Sequence, residues 1–455
     1  MGVDLNNFRD GFWESSDSRP SNLPAYTLIG LSVFLYYLLN LPYYRAYTQG
    51  IVPAGDPFSY TVGFYQLLDR AHEKYWDTIY FGFTQPNWYW LINFLIALFS
   101  PLLEKRPDSL CLVNFVMFFF ATAGLFRMVC HLGYSRAVST CFSFLWWLYP
   151  SNYGFLTYQS TPVMGLDAMF LNALVTAMAH TVVYVLNPHK ITNAMIAAFA
   201  TRIAVWGRGN SGPVVALTLS VPLMYLAYRL YVSIAQEKTW RPLIGALLFG
   251  LLALSMTVWF YWKNWGPLNE YYGNHARFAG QHDWNLQDSM HFIKNVPGFF
   301  FWRYHDTTAV ITIGMLCHLF ALGGFVFLWL PRPQMDPARR AALRLLATAS
   351  VVIYIPTYVI PLYLWTDPLF TVWNVILMFA PMLLALTLNL ISVLGVLADR
   401  FQWAVGRKLM LVTAVCAVIY SERLTALQTP SRLDPHLATP QEVEAFAVNL
   451  DVLLK

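Results

Sequence analysis

The sequence predicts an all-α, polytopic integral membrane helix bundle of about 11–13 spans. Three observations carry that prediction. The chain is 57% hydrophobic over 455 residues, only 12% of it is charged, and apolar runs of span length recur through most of it. Soluble domains carry about 25% charged residues, and their outer helices show a polar face that most of these runs lack. A long apolar run in lipid must be helical, because unpaired backbone groups are too costly there.

Taken in order, candidate spans fall near 26–47, 87–103, 109–130, 137–157, 163–186, 190–206, 212–233, 242–262, 308–330, 340–365, 369–397 and 409–420. The chain reads as one transmembrane domain, 1–455, with large loops at 49–86 and 263–307 and a short tail at 421–455. Neither an internal repeat nor a low-complexity segment stands out, and the polar N-terminus lacks the basic start of a signal peptide. Cys111, Cys130, Cys141, Cys317 and Cys416 lie in or beside apolar runs without CxxC spacing, and read as small buried hydrophobes. No dense Lys/Arg stripe with stacking aromatics is present, so nucleic acid is not an expected partner. Membrane lipids are.

Orientation follows the excess of Lys and Arg in short cytoplasmic loops. Lys105 and Arg106, then Arg332, Arg339 and Arg340, then Arg400, Arg407 and Lys408 are expected in the cytoplasm, joined by Lys238 and Arg241. Loops 49–86 and 263–307, and the tail, then face the other side. One inconsistency follows. Five candidate spans separate Lys105 from Lys238, whereas shared sidedness requires an even number. Either a segment within 137–206 is re-entrant or wrongly divided, with 148–162 the weakest, or the Lys238 loop lies outside.

The first outer loop reads IVPAGDPFSYTVGFYQLLDRAHEKYWDT and concentrates seven titratable groups in a charge-poor chain. Its apolar residues recur every three to four positions, as in a helix or two lying along the membrane interface. Asp56 is fixed between Gly55 and Pro57 just past the first span, where a carboxylate could take a proton from a hydroxyl or position a metal. Glu73 and Asp77 lie four apart on one helix face and are further candidate acids. The second outer loop supplies Tyr271, His275 and His282 as substrate-binding candidates, with Lys263, Arg277 and Arg303 forming a cationic patch suited to a phosphate. Its histidines do not match HExxH or another tight zinc pattern. In TRIAVWGRGNSGP, glycines and a proline mark a helix break rather than a Walker loop. Arg202 and Arg208 flank it, and an intramembrane charge of this kind is by default a functional hypothesis for an anionic headgroup. Asp167 begins an apolar helix and is a weaker candidate of the same sort.

A lipid-linked phosphate donor would meet both loops, its tail between helices, its phosphate on the cations and its sugar in the aqueous mouth. On VPAGDPFSYTVGFYQLLD, and on the aromatic entry QPNWYWLINFLIALF at 85–99, the chain resembles the GT-C superfamily of polyprenyl-phosphate-sugar-dependent glycosyltransferases. The family's frequent DD or DE pair is replaced here by Asp56–Pro57. The resemblance implies a GT-C-like bundle with interfacial helices in the first extracytoplasmic loop, and Asp56 as general base. It implies a polyprenyl-phosphate-linked sugar donor and a glycan, lipid or protein acceptor. It also implies a bacterial inner-membrane location with the site on the periplasmic or extracellular side. It names no certain cofactor and leaves a divalent cation open. Two rival readings stand beside it: an O-antigen-type ligase or polymerase using a lipid-linked glycan, which the histidines of 263–307 keep alive, and a multi-span transporter.

Overall fold

A computed structural model describes residues 22–48, 52–53, 56–84, 90–106, 109–148, 166–207, 211–279, 316, 319, 322–326, 329, 336–354, 384–396 and 437–438. The architecture is helical, as expected. Its helices are α1 (Leu23–Thr48), α2 (Asp56–Glu73), α3 (Tyr75–Thr84), α4 (Trp90–Phe99), α5 (Leu110–His131), α6 (Arg136–Phe144), α7 (Leu166–Leu186), α8 (Ile191–Trp206), α9 (Ser211–Ala235), α10 (Arg241–Ala279) and α11 (Pro337–Tyr354). A further described helix, α12, runs Leu384–Val396. The described extended structure is two residues long: β1 (Val52–Pro53) pairs antiparallel with β2 (Leu437–Ala438).

Among the described residues, four helices, within α5, α7, α9 and α10, are long and apolar enough to cross a membrane. This is the signature of a membrane protein. They differ in how much of them the bundle covers. The apolar window of α7 is 94% buried, which makes it the central helix, and α5, α8 and α9 pack around it. That of α10 is only 24% buried. Its exposed side chains include Leu247, Leu251, Leu254 and Val258, a three-to-four residue stripe. Exposed Trp240 and Trp262 bracket the stripe. They lie 22 residues apart, about 33 Å of helix, close to the roughly 30 Å thickness of bilayer hydrocarbon. Aromatic residues at both edges of a lipid-facing stripe are the expected interfacial belt.

The helices define two ends. Ring contacts between Tyr26 and Phe126 (5.2 Å) and between Tyr36 and Phe115 (5.7 Å) set α1 antiparallel to α5. At the far end of α5, the Arg339 guanidinium donates to the carbonyls of Leu132 (3.1 Å) and Gly133 (3.2 Å). His189, in the α7–α8 turn, lies 4.0 Å from Glu237 after α9. Arg136, Lys190, Lys238, Arg241, Arg339 and Arg340 therefore gather at one end, here the Arg339 end.

The opposite end holds Lys105, and here one expectation is overturned. The Lys105 ammonium pairs with Asp69 of α2 at 2.5 Å. The Tyr75 hydroxyl donates to the Leu98 carbonyl at 2.9 Å. The run 87–103 thus does not carry the chain across to the Arg339 side. Its helical part, α4, has ten residues, about 15 Å. A 3-10 turn over Ser100–Leu102, with Pro101 in it, then leads back to the end where α2 sits. Lys105 and Arg106 lie with the 49–86 loop and opposite Arg339, not beside it. The count of five crossings between Lys105 and Lys238 is then consistent, because an odd number joins opposite ends. The β1–β2 pair places Leu437–Ala438 beside Val52–Pro53.

Candidate functional site

The Lys105 end collects the described candidate residues. Asp56 is the first residue of α2, the element that follows β1. Glu73 ends the same helix, and Asp77 lies in the first turn of α3, both exposed. Seventeen residues separate Asp56 from Glu73, about 26 Å of helix. Glu73 and Asp77 thus lie on two successive helices that break at Lys74, not on one helix face as expected, and Asp56 stands apart from both. Arg70 on the same helix lies 3.8 Å above the Phe81 ring, which ties α2 to α3.

Arg202 sits one turn before the end of α8, half-buried, with its guanidinium 4.1 Å above the Trp206 ring. Trp206 continues into a buried aromatic group. Trp90, at the start of α4, lies 4.7 Å from Trp206, 4.4 Å from Trp259 and 5.4 Å from Phe260. This group joins α4, α8 and α10. Beside it, the Ser211 hydroxyl donates to the Val205 carbonyl and the Gly212 amide donates to the Tyr261 hydroxyl. A Cβ at Gly212 would collide with that hydroxyl, so glycine is required for α9 to start this close to α10. The described residues on either side of 208–210, Gly207 and Ser211–Gly212, are packed at the end of α8.

Lys263 is exposed, its ammonium 5.3 Å from the Trp262 ring. From there α10 continues to Ala279, about 24 Å past Lys263, and carries Tyr271, His275 and Arg277 beyond the tryptophan belt. Tyr271 and His275 stand one turn apart. Asp167, in the first turn of α7, belongs to this end too, since α7 runs toward His189 at the other. Arg208, His282 and Arg303 lie outside the described residues. Among the described residues no three His, Cys, Asp or Glu side chains gather as metal ligands would.

A second polar group is one that the sequence reading passed over. It lies toward the Arg339 end, between α5, α7 and α8. Arg127 Nη1 lies 3.1 Å from His180 Nδ1, and Arg127 Nη2 donates to Asn193 Oδ1 at 2.6 Å. His131 Nδ1 lies 2.9 Å from the Arg127 carbonyl. The available signal was Arg127 itself, a cation inside the apolar run 109–130. Its partners lie 53 and 66 residues away, beyond any local spacing.

No protein-family model matches the chain, and no curated protein does.

Proposed function

We propose that the chain is a membrane glycosyltransferase of the GT-C kind, moving a sugar from a polyprenyl-phosphate carrier to an acceptor hydroxyl at the non-cytoplasmic face. The observation that carries this reading is the sorting of groups between the two ends. The Asp56 turn, the α2–α3 pair, the Arg202 corner and the α10 extension occupy one end, while the lysine- and arginine-rich turns occupy the other. Cytoplasmic loops are enriched in Lys and Arg, so the Arg339 end faces the cytoplasm and the Asp56 end faces away from it. In a bacterium that is the periplasmic side of the inner membrane. Helices α2 and α3 then lie at the outer interface, where exposed Trp76 and Tyr80, one turn apart, suit the headgroup layer.

The chemistry is a direct displacement with inversion at the anomeric carbon. Asp56 takes the proton of the acceptor hydroxyl as its oxygen bonds to that carbon. The bond from the anomeric carbon to the carrier phosphate oxygen breaks, and the polyprenyl phosphate departs with the electron pair. Arg202, Arg208 and Lys263, with Arg277 and Arg303, stabilise the departing anion, and a low-dielectric surround strengthens that effect. Tyr271, His275 and His282 are assigned to the sugar and acceptor. Asp56 is the group closest in sequence to the end of α1, where the lipid tail would lie.

The test is transfer from a panel of polyprenyl-phosphate sugars by the purified full-length chain in lipid nanodiscs. Asp56→Asn should keep the wild-type melting temperature and lose at least about 100-fold in rate, the scale of a lost general base. Normal turnover by a folded D56N protein would overturn the assignment. Activity unaltered by chelation would remove any role for a divalent cation.

A further inference from the structure

We propose that Arg127 and Asn193, with the N-terminus of α8, form a phosphate-binding site toward the Arg339 end, the phosphate being that of an anionic lipid headgroup or a free ion. This site is independent of the glycosyltransferase reading and lies at the opposite end of the bundle.

Arg127 is half-buried and its two side-chain partners are His180 and Asn193. To accept from a guanidinium, His180 Nδ1 must be unprotonated, so both partners are neutral. Among the described residues no carboxylate pairs with Arg127. A cation in the membrane region without a counter-charge is expensive. The second observation is Asn193, which is 3% exposed. Its oxygen is used by Arg127, and its amide nitrogen has no hydrogen-bond partner. Buried unpaired donors are rare and each costs free energy. The third is position. Asn193 lies in the first turn of the 16-residue helix α8, whose N-terminal dipole end is partially positive and favours an anion.

Guanidinium, amide N–H and helix N-terminus together offer donors and positive charge and supply no acceptor. A phosphate oxygen supplies what is missing. Lys190 caps α8, and Arg339 is bonded to the residues just after α5, so the approach to the site is also cationic. The competing account is purely structural: the carbonyl ends of α5 and α7 offset the Arg127 charge, and the group only ties three helices together.

Two variants separate these accounts. Arg127→Gln removes the charge. Asn193→Asp supplies an internal counter-charge, so it should fold at least as well as wild type while blocking an anion. The full chain in neutral detergent is titrated with phosphatidylglycerol, phosphatidylcholine or inorganic phosphate, and its melting temperature is read. We expect phosphatidylglycerol to raise the wild-type value, with half-saturation shifted at least tenfold in both R127Q and N193D. Phosphatidylcholine, with its phosphate already paired to choline, should have a smaller effect. A response to inorganic phosphate with the same dependence on both residues supports the site and assigns it to a soluble ion. Equal stabilisation of wild type and N193D by phosphatidylglycerol, or no response of wild type to either phosphate source, overturns the proposal.

Discussion

The Lys105 ammonium lies 2.5 Å from the Asp69 carboxylate, closing a loop of chain that leaves one end of the bundle and returns to it. Between the two residues run α3 and α4, and Tyr75 is bonded to the Leu98 backbone across that loop. The relationship decides the threading of everything after it. With Lys105 opposite Arg339, α5 is the next helix to cross, and central α7, α8 and α9 follow in alternation.

Paired cysteine labelling tests this threading directly. In sealed, right-side-out vesicles, an impermeant maleimide should modify Lys105→Cys and Glu73→Cys alike. Lys238→Cys and Arg340→Cys should react only after permeabilisation. Protection of K105C together with K238C would restore the arrangement in which 87–103 crosses the membrane.

The Asp69–Lys105 pair itself should contribute little stability. Its side chains are 43% and 30% exposed, and pairs this open to solvent are worth about 0–1 kcal/mol. Asp69→Asn should shift the thermal midpoint slightly, and the charge-reversed double variant D69K/K105D should recover most of the shift. A large loss on D69N, without recovery in the reversed pair, would mean that Asp69 has another role.

Trp90 should matter far more. It is 1% exposed and touches Trp206, Trp259 and Phe260 on two other helices. Replacing a buried tryptophan with alanine removes transfer free energy and leaves a cavity, together about 3–5 kcal/mol. Trp90→Ala should lower the thermal midpoint strongly and loosen α4 from α8 and α10, which protease susceptibility near residues 85–106 would report. A near-wild-type midpoint would show that α4 is not docked as described.

Much of the bundle was legible in the amino-acid sequence. The runs 109–130, 163–186, 212–233 and 242–262 correspond to α5, α7, α9 and α10, because hydropathy over a span-length window reports the demand for apolar surroundings. The same measure misled at 87–103, which is apolar enough but whose described part is a ten-residue helix and a turn. Pro101 was the local cue that the helix stops. The odd span count points to 137–206 or to the Lys238 loop, whereas its source is the run 87–103, two candidate spans before 137–157. At the candidate site, Asp56 was placed by its Gly–Asp–Pro setting, and its position at the start of α2 follows from the same residues. The Arg127–His180–Asn193 group was not legible, since helix packing, not spacing, brings those positions together.

Interhelical hydrogen bonds on the central helix offer a further check. Trp146 Nε1 donates to Asn172 Oδ1 at 2.8 Å, and both residues are fully buried. Asn172→Ala leaves the indole N–H unsatisfied in an apolar interior, at a cost of about 1–2 kcal/mol. Removing the donor as well, in Trp146→Phe with Asn172→Ala, should cost less than the sum of the two single changes. Strict additivity in thermal melts would deny the bond.

The turn between α7 and α8 gives a pH signature. Burial lowers the His189 pKa below the usual histidine value, while Glu237 at 4.0 Å opposes the shift and Arg229 and Arg241 reinforce it. The native state therefore holds this imidazole neutral to lower pH than the unfolded chain does. Where the unfolded state binds more protons, stability rises with pH. The contribution is intact above about pH 6.5, the ordinary histidine value, and is lost as pH falls from there toward the depressed native pKa. His189→Gln should flatten the melting-temperature profile between pH 7.5 and 5 relative to wild type. Glu237→Gln should steepen it, because the one group that favours the imidazolium is gone. A wild-type slope in H189Q, or a shallower slope in E237Q, would show that His189 is not the titrating group or that the pair is charged in the native state.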